Sequence, residues 1–217
     1  MTASSYLHSV RASYDAVAVD CARLLGTELA GKPLDRAMLA AFAECVRGEE
    51  GGAGRAVADL GCGPGRVTAH LDGLGVRTFG VDLSPAMVAV ARRTYPGLRF
   101  EVGSMAALDV ADGVLGGVLC WYSTLHTPPA ELPSVFAEFA RVLAPGGHAL
   151  IAFEAGDGRV RLEHAYGHPV DLDVYRMTPD GIADLLAGAG LAEVARLLRE
   201  PAGGESCPQG FLLARKG

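Results

Sequence analysis

The sequence predicts an α/β fold, in which short buried parallel strands alternate with helices, and three observations point to it. The apolar run Val57-Ala58-Asp59-Leu60 leads into three glycines spaced two apart (Gly61, Gly63, Gly65), and Val67, Leu71 and Leu74 then recur at helical spacing. A second apolar run, Val76 to Asp82, is followed by the helix-start pair Ser84 and Pro85, with Met87, Val88 and Ala91 turned inward. Half of the 217 residues are hydrophobic, which suits one domain of ordinary size with a full core.

Composition then narrows the function. No run approaches the roughly 18 uninterrupted apolar residues of a membrane span, and Met1 to Val10 lacks the basic start and apolar core of a signal peptide. Five cysteines (Cys21, Cys45, Cys62, Cys120, Cys207) are scattered with no Cys-x-x-Cys pair. They suit a reducing cytoplasm and argue against a zinc site or a disulfide framework. The net charge is −6 with no lysine or arginine run, so a small-molecule partner is favoured over a nucleic acid. The abundance of Ala, Gly, Arg and Val suits a bacterial source.

The chain ahead of the glycines reads as helical. Ser13 to Glu28 repeats apolar residues at Val17, Cys21, Leu24 and Leu25, and Gly31-Lys32-Pro33 then breaks the chain. A second helix is predicted from Asp35 to Val46, with Asp35 as N-cap. Gly48 to Gly54 reads as a linker by composition.

The glycines predict a bound cofactor. At a strand-to-helix turn they allow φ > 0 and let a ligand reach the backbone without meeting a Cβ. Free N–H groups at the helix start face the same ligand. The dinucleotide fingerprint Gly-x-Gly-x-x-Gly is not matched, because Arg66 holds the third-glycine position. Asp82 lies 17 residues beyond Gly65 and ends the second strand, where a carboxylate accepts hydrogen bonds from both hydroxyls of a ribose.

A third strand, Leu98 to Val102, ends in Gly103-Ser104-Met105, and a fourth, Gly117 to Trp121, opens the segment Tyr122-Ser123-Thr124-Leu125-His126. A helix from Pro129 to Leu143 carries Leu132, Val135, Phe136, Phe139 and Leu143 on one face. The fifth strand, His148 to Phe153, is closed by Glu154, either an ordinary solvated acid or a functional group at the ligand-bearing edge. From Ala155 to Met177 helical and strand periods are both weak, which reads as a long functional loop. Its His164 and His168 would share a face only on a helix, and Gly167 and Pro169 oppose one, so no metal site is expected. A helix from Thr178 to Ala189 and strands Leu191–Arg199 and Gly210–Lys216 finish the chain.

Three stretches, Asp59-Leu-Gly-Cys-Gly-Pro-Gly65, Gly80 to Val88 and Arg141 to His148, resemble the class I S-adenosylmethionine-dependent methyltransferases of small-molecule type. The resemblance implies a Rossmann-like, doubly wound, seven-stranded, mostly parallel sheet with an antiparallel C-terminal strand and an N-terminal helical cap. It also implies S-adenosylmethionine as cofactor and S-adenosylhomocysteine as product. The implied cofactor-binding residues are Tyr14, Asp59, Gly61, Cys62, Gly63, Gly65, Asp82, Leu83, Met87, Ser104, Met105, Cys120 and Trp121. Tyr14 resembles the tyrosine that closes over the cofactor in such caps, or is an amphipathic residue of a packed helix. Ser104 stands where many relatives carry an aspartate for the adenine, and Gly117 replaces the aspartate that opens the fourth strand.

By family position, His126 and Tyr122 stand where a methyl acceptor enters and are the catalytic candidates. An unperturbed imidazole titrates near neutral pH, so His126 is either a general base or a loop-holding hydrogen-bonder. One domain is expected over residues 1–217: a cap (1–50), a cofactor core (55–155), an acceptor-pocket insertion (156–177) and a C-terminal helix and hairpin (178–217). The expected reaction is in-line methyl transfer to an O, N or C nucleophile of a small molecule. A non-methylating enzyme or a regulatory binder shares the cofactor motifs, and a nicotinamide oxidoreductase fits them less well. Nothing in the sequence sets the oligomeric state.

Overall fold

The computed structural model describes residues 3–48 and 54–217, with side chains from Tyr6 onward. Most of the predicted linker lies outside the described residues. Helix α1 (Ala3–Leu25), a 3-10 turn (Glu28–Gly31) and α2 (Pro33–Arg47) precede β1 (Val57–Leu60), α3 (Arg66–Gly73), β2 (Thr78–Asp82), α4 (Pro85–Thr94), β3 (Arg99–Val102) and β4 (Leu115–Trp121). Then come α5 (Leu132–Val142), β5 (Leu143–Glu154), β6 (Gly158–Ala165), β7 (His168–Arg176), α6 (Pro179–Gly188), β8 (Leu191–Arg199) and β9 (Gln209–Lys216).

Seven strands form one sheet in the order β3-β2-β1-β4-β5-β9-β8. Strands β1 to β5 pair in parallel, and β9 runs antiparallel to both β5 and β8. Strand order reverses between β1 and β4, the switch point at whose C-terminal edge open α/β sheets bind ligands. Every residue of β1 and β4 is buried, as expected for parallel strands covered on both faces. One face packs on Phe136, Phe139, Ile182 and Leu186 of α5 and α6, the other on Leu39, Phe42 and Leu71 of α2 and α3.

The local start signals act as read. Ser84 Oγ accepts from Met87 N at 3.1 Å at the head of α4, and Thr178 Oγ1 from Gly181 N at 3.1 Å at the head of α6. Other expectations need correction. The first helix begins near Ala3 rather than Ser13, and Leu24 faces solvent. Asp35 lies in the first turn of α2 and is not its cap; its buried carboxylate pairs with Arg199 at 2.8 Å.

The stretch expected as an irregular loop is the hairpin β6–β7. Its two-residue turn, Tyr166-Gly167, has φ of 52° and 84°, the mirror-image turn that matches strand twist. Contrary to the expectation of a weak strand period, both arms alternate, Arg159-Val160-Arg161-Leu162-Glu163 and Val170-Asp171-Leu172-Asp173-Val174. Leu172, Asp173 and Val174 are nevertheless all buried where β7 lies between α1 and the turn at 124–126, while β6 stays largely exposed.

Candidate active site

A cavity of about 350 Å³ opens at the C-terminal ends of β1, β2, β4 and β5. Helix α1 roofs it with Tyr6, Val10, Tyr14, Cys21 and Leu25, residues three to four apart or a multiple of that, hence on one face. Asp15 anchors this roof, its Oδ1 accepting from Ser84 Oγ at 2.6 Å and Ala86 N at 3.1 Å at the head of α4.

The three glycines of the β1–α3 turn all have positive φ, each for a different reason. A Cβ on Gly61 would lie 2.2 Å from Ser123 Cβ, so Gly61 makes room for the chain leaving β4. A Cβ on Gly65 would lie 2.7 Å from the Phe100 ring, so Gly65 serves close helix–sheet packing. A Cβ on Gly63 meets no atom within 4 Å. Gly61 and Gly63 line the cavity and Gly65 does not.

Asp82 ends β2 with both oxygens already engaged. Gly63 N donates to Oδ2 and Ser84 N to Oδ1, each at 2.8 Å. Burial raises its pKa and these two N–H groups oppose the rise. A carboxylate offers about four lone-pair sites, so two remain for the hydroxyls of a ribose.

Two charged atoms in the cavity wall are buried without a partner among the described residues. Asp59 Oδ2 accepts from Thr68 Oγ1 at 2.6 Å, whereas Oδ1 has no donor. Desolvation pushes the Asp59 pKa up to about 7, against the pull of the Thr68 hydroxyl and the nearby Arg66 charge. Arg66 Nη2 pairs with Glu28 Oε2 at 2.7 Å, and Nη1 is left unpartnered. Unpaired buried polar atoms are costly, and an amino acid carries the ammonium and carboxylate that answer both. The residues present therefore fit the methionine end and the ribose of S-adenosylmethionine.

At the far side, Ser104 Oγ accepts from Ala106 N at 3.2 Å, so part of its capacity serves its own turn. Leu83, Met87, Cys62, Ser104 and Met105 all line the cavity. Burial raises the Cys62 thiol well above its ordinary pKa, which makes it a packing surface. Trp121 also lines the cavity. Cys120 does not; its side chain points to the opposite sheet face and meets Ser123 Oγ at 2.9 Å. Consecutive strand residues alternate faces, so of that pair only the Trp121 side chain faces the cavity.

His126 is buried in the cavity wall and engaged at both nitrogens. Nδ1 lies 2.7 Å from the Asp173 carbonyl, which only accepts, so Nδ1 carries the proton. Nε2 then accepts from the Tyr14 hydroxyl at 2.7 Å. Burial pushes the His126 pKa down to about 4, keeping the ring neutral. That geometry suits it to orient Tyr14 and to join α1 to β7 more than to take a proton directly. Tyr122 has a φ of 57°, strained for a non-glycine residue. Its ring meets Trp121 and Phe211, and its buried hydroxyl has no partner among the described residues.

Sequence reasoning missed the polar wall formed by Glu28, Lys32, Arg66, Tyr166, Glu205 and Gln209. Lys32 Nζ reaches both Glu28 and Glu205, and Arg199 joins Glu205 to Asp35. These residues lie up to 181 positions apart, and no local pattern links them. Arg66 alone had a signal, as a cation in a turn otherwise built of glycines. Among the described residues, no group of three or more His, Cys, Asp or Glu is arranged to hold a metal, and no helix is long and apolar enough to cross a membrane.

Residues 57–147 match the model of a family described as "Methyltransferase domain". The ubiquinone biosynthesis O-methyltransferase of Thiobacillus denitrificans is 31% identical over 153 residues, 68% of this chain and 64% of that protein. The demethylmenaquinone methyltransferase of Chlorobaculum parvum is 33% identical over 44% of this chain and 39% of its own length. The chain thus spans about half the length of the curated relatives it matches, from 35% to 64%. Among solved structures, the magnesium protoporphyrin IX methyltransferase of Synechocystis, with bound S-adenosylmethionine, superposes with a TM-score of 0.74 at 16% identity, covering 98% of this chain and 97% of that one. The 1,6-didemethyltoxoflavin-N1-methyltransferase of Burkholderia thailandensis gives 0.63 at 23% identity, over 94% and 90%. At these identities the structural likenesses establish the fold.

Proposed function

We propose that this chain is a class I S-adenosylmethionine-dependent methyltransferase, as its match to the methyltransferase-domain model and its fold support, and that it transfers the cofactor's methyl group to a nucleophilic O, N or C atom of a small molecule. The cofactor supplies an activated methyl. The observation that best supports the reading is the triad of charged groups in one cavity: Asp82 held by two backbone N–H groups, with Asp59 Oδ1 and Arg66 Nη1 unpartnered. Asp82 receives the ribose, Asp59 and Arg66 receive the amino-acid end, and Leu83 and Met105 flank the adenine.

The chain's own contribution to rate is alignment. Well-oriented reactants reach effective molarities of about 10⁵–10⁸ M, and a roof of α1 pinned by Asp15 and Tyr14 keeps water out of the line of attack. Tyr14 and His126 hold the roof and the post-β4 segment in register, and Tyr122 borders the acceptor side. The chain acts in the cytoplasm on this reading, as its reduced, unpaired cysteines suit.

Calorimetric titration with S-adenosylhomocysteine tests the reading, with NAD as control. Micromolar binding of the former alone is expected, and Asp82→Ala should weaken it about 10–100-fold by removing a charged hydrogen-bond acceptor. Tight NAD binding, or an unchanged affinity in the variant, would overturn the assignment.

A further inference from the structure

Glu154 ends β5, and Gln209 begins β9 directly opposite it in the antiparallel ladder. Directly opposed residues project to one face of a sheet, and both side chains line the cavity. Glu154 Oε2 is held from behind, accepting from Arg176 Nε at 3.2 Å and from Cys207 Sγ at 3.3 Å. Oε1 has no partner among the described residues. Gln209 spends its amide nitrogen on the Cys207 carbonyl at 2.9 Å, which leaves its oxygen as a second acceptor atom. His126, whose ring feels the Glu154 charge, has both nitrogens engaged. Asp59 and Asp82 sit at the other strands' ends, where the cofactor's own groups meet them.

Resting on the methyltransferase reading, we propose that Glu154 Oε1 accepts the proton of the methyl acceptor's nucleophilic N–H or O–H, with Gln209 helping to orient it. The acceptor is then a hydroxyl- or amine-bearing small molecule and not a free carboxylate. In the step, a lone pair of the acceptor atom forms the bond to the methyl carbon. The carbon–sulfur bond breaks with its electron pair left on sulfur, and the acceptor's proton passes to Oε1. The sulfonium and carboxylate charges vanish together, and the Arg176 guanidinium, which also donates to Ser206 Oγ at 2.9 Å, keeps a polar partner when Oε2 loses its charge. A carboxylate acceptor needs no base and brings a second negative charge to face Glu154, which like-charge repulsion opposes.

Binding reads this arrangement without a known acceptor. Only S-adenosylmethionine carries the sulfonium charge; S-adenosylhomocysteine has a neutral sulfur. Calorimetry should show that Glu154→Gln weakens the former roughly 3–10-fold and leaves the latter within about twofold, as loss of one charge across a partly wet site implies. Glu154→Asp should keep most of the preference. Equal weakening of both ligands, or no change in either, would overturn the proposal, whereas a wild-type protein that binds neither fails the cofactor reading first. Acceptor class is read from the shift in Tm of the S-adenosylhomocysteine complex on adding catechol, aniline or benzoate at one concentration, catechol and aniline being neutral at pH 7. A larger shift with catechol or aniline, lost in Glu154→Gln, supports the proposal. A benzoate shift as large as theirs overturns it.

Discussion

The Tyr14 hydroxyl donates to His126 Nε2 at 2.7 Å across 112 residues of sequence. The same ring donates from Nδ1 to the Asp173 carbonyl at 2.7 Å. One neutral imidazole thus ties the roof helix α1, the segment after β4 and the hairpin strand β7.

That neutrality sets a pH dependence. The His126 pKa falls from 6.5 when unfolded to about 4 when folded, so acid favours the unfolded chain. The associated stability is fully present above pH 6.5 and is lost as pH falls towards 4. The loss at pH 5 should be about 2 kcal/mol. Urea denaturation at pH 7 and pH 5 measures it, and His126→Asn should lose correspondingly less over that interval.

Asp59 works in the opposite sense. Its folded pKa of about 7 stands above the usual carboxylate value, so below pH 7 the free protein holds a proton that an incoming ammonium must displace. Affinity for S-adenosylhomocysteine should rise as pH goes from 6 to 8, approaching tenfold per unit below pH 7. Titrations in buffers of different ionisation enthalpy should register proton release on binding at pH 6.5, and Asp59→Asn should abolish it.

Gly65 and Gly63 should separate packing from ligand access. Gly65→Ala meets the left-handed backbone cost and the Phe100 ring at 2.7 Å, and should cost about 2–4 kcal/mol. Gly63→Ala meets open space and should cost only about 1 kcal/mol of strain, yet crowd the ligand. Thermal unfolding with and without S-adenosylhomocysteine distinguishes them.

Asp35 and Arg199 form a pair with side chains 2% and 8% exposed. Asp35→Ala strands part of the guanidinium charge and should cost about 3 kcal/mol by urea denaturation. Glu205 still holds Arg199 at 2.7 Å, which should keep the loss from being larger.

Features set by residues close in the chain could be read directly. The glycine turn, the Asp82 strand end, the Ser84 and Thr178 caps and the parallel strands declare themselves within a dozen residues each, because backbone conformation and period are short-range properties. Gly63, Asp82 and Asp59 were legible for that reason. The tertiary structure decided everything set by convergence. The 155–177 stretch, expected as a loop, is a hairpin whose alternation stands in the sequence at 159–163 and 170–174, and the tertiary structure decided only where it packs, with β7 against α1 and the 124–126 turn. The tertiary structure removed Gly65 and Cys120 from the cavity wall, the first by helix–sheet packing and the second by strand alternation. It also gathered Glu28, Arg66, Glu154, Glu205 and Gln209 around one space. Charge pairing across so many residues depends on the closed sheet and leaves no periodic trace in the chain.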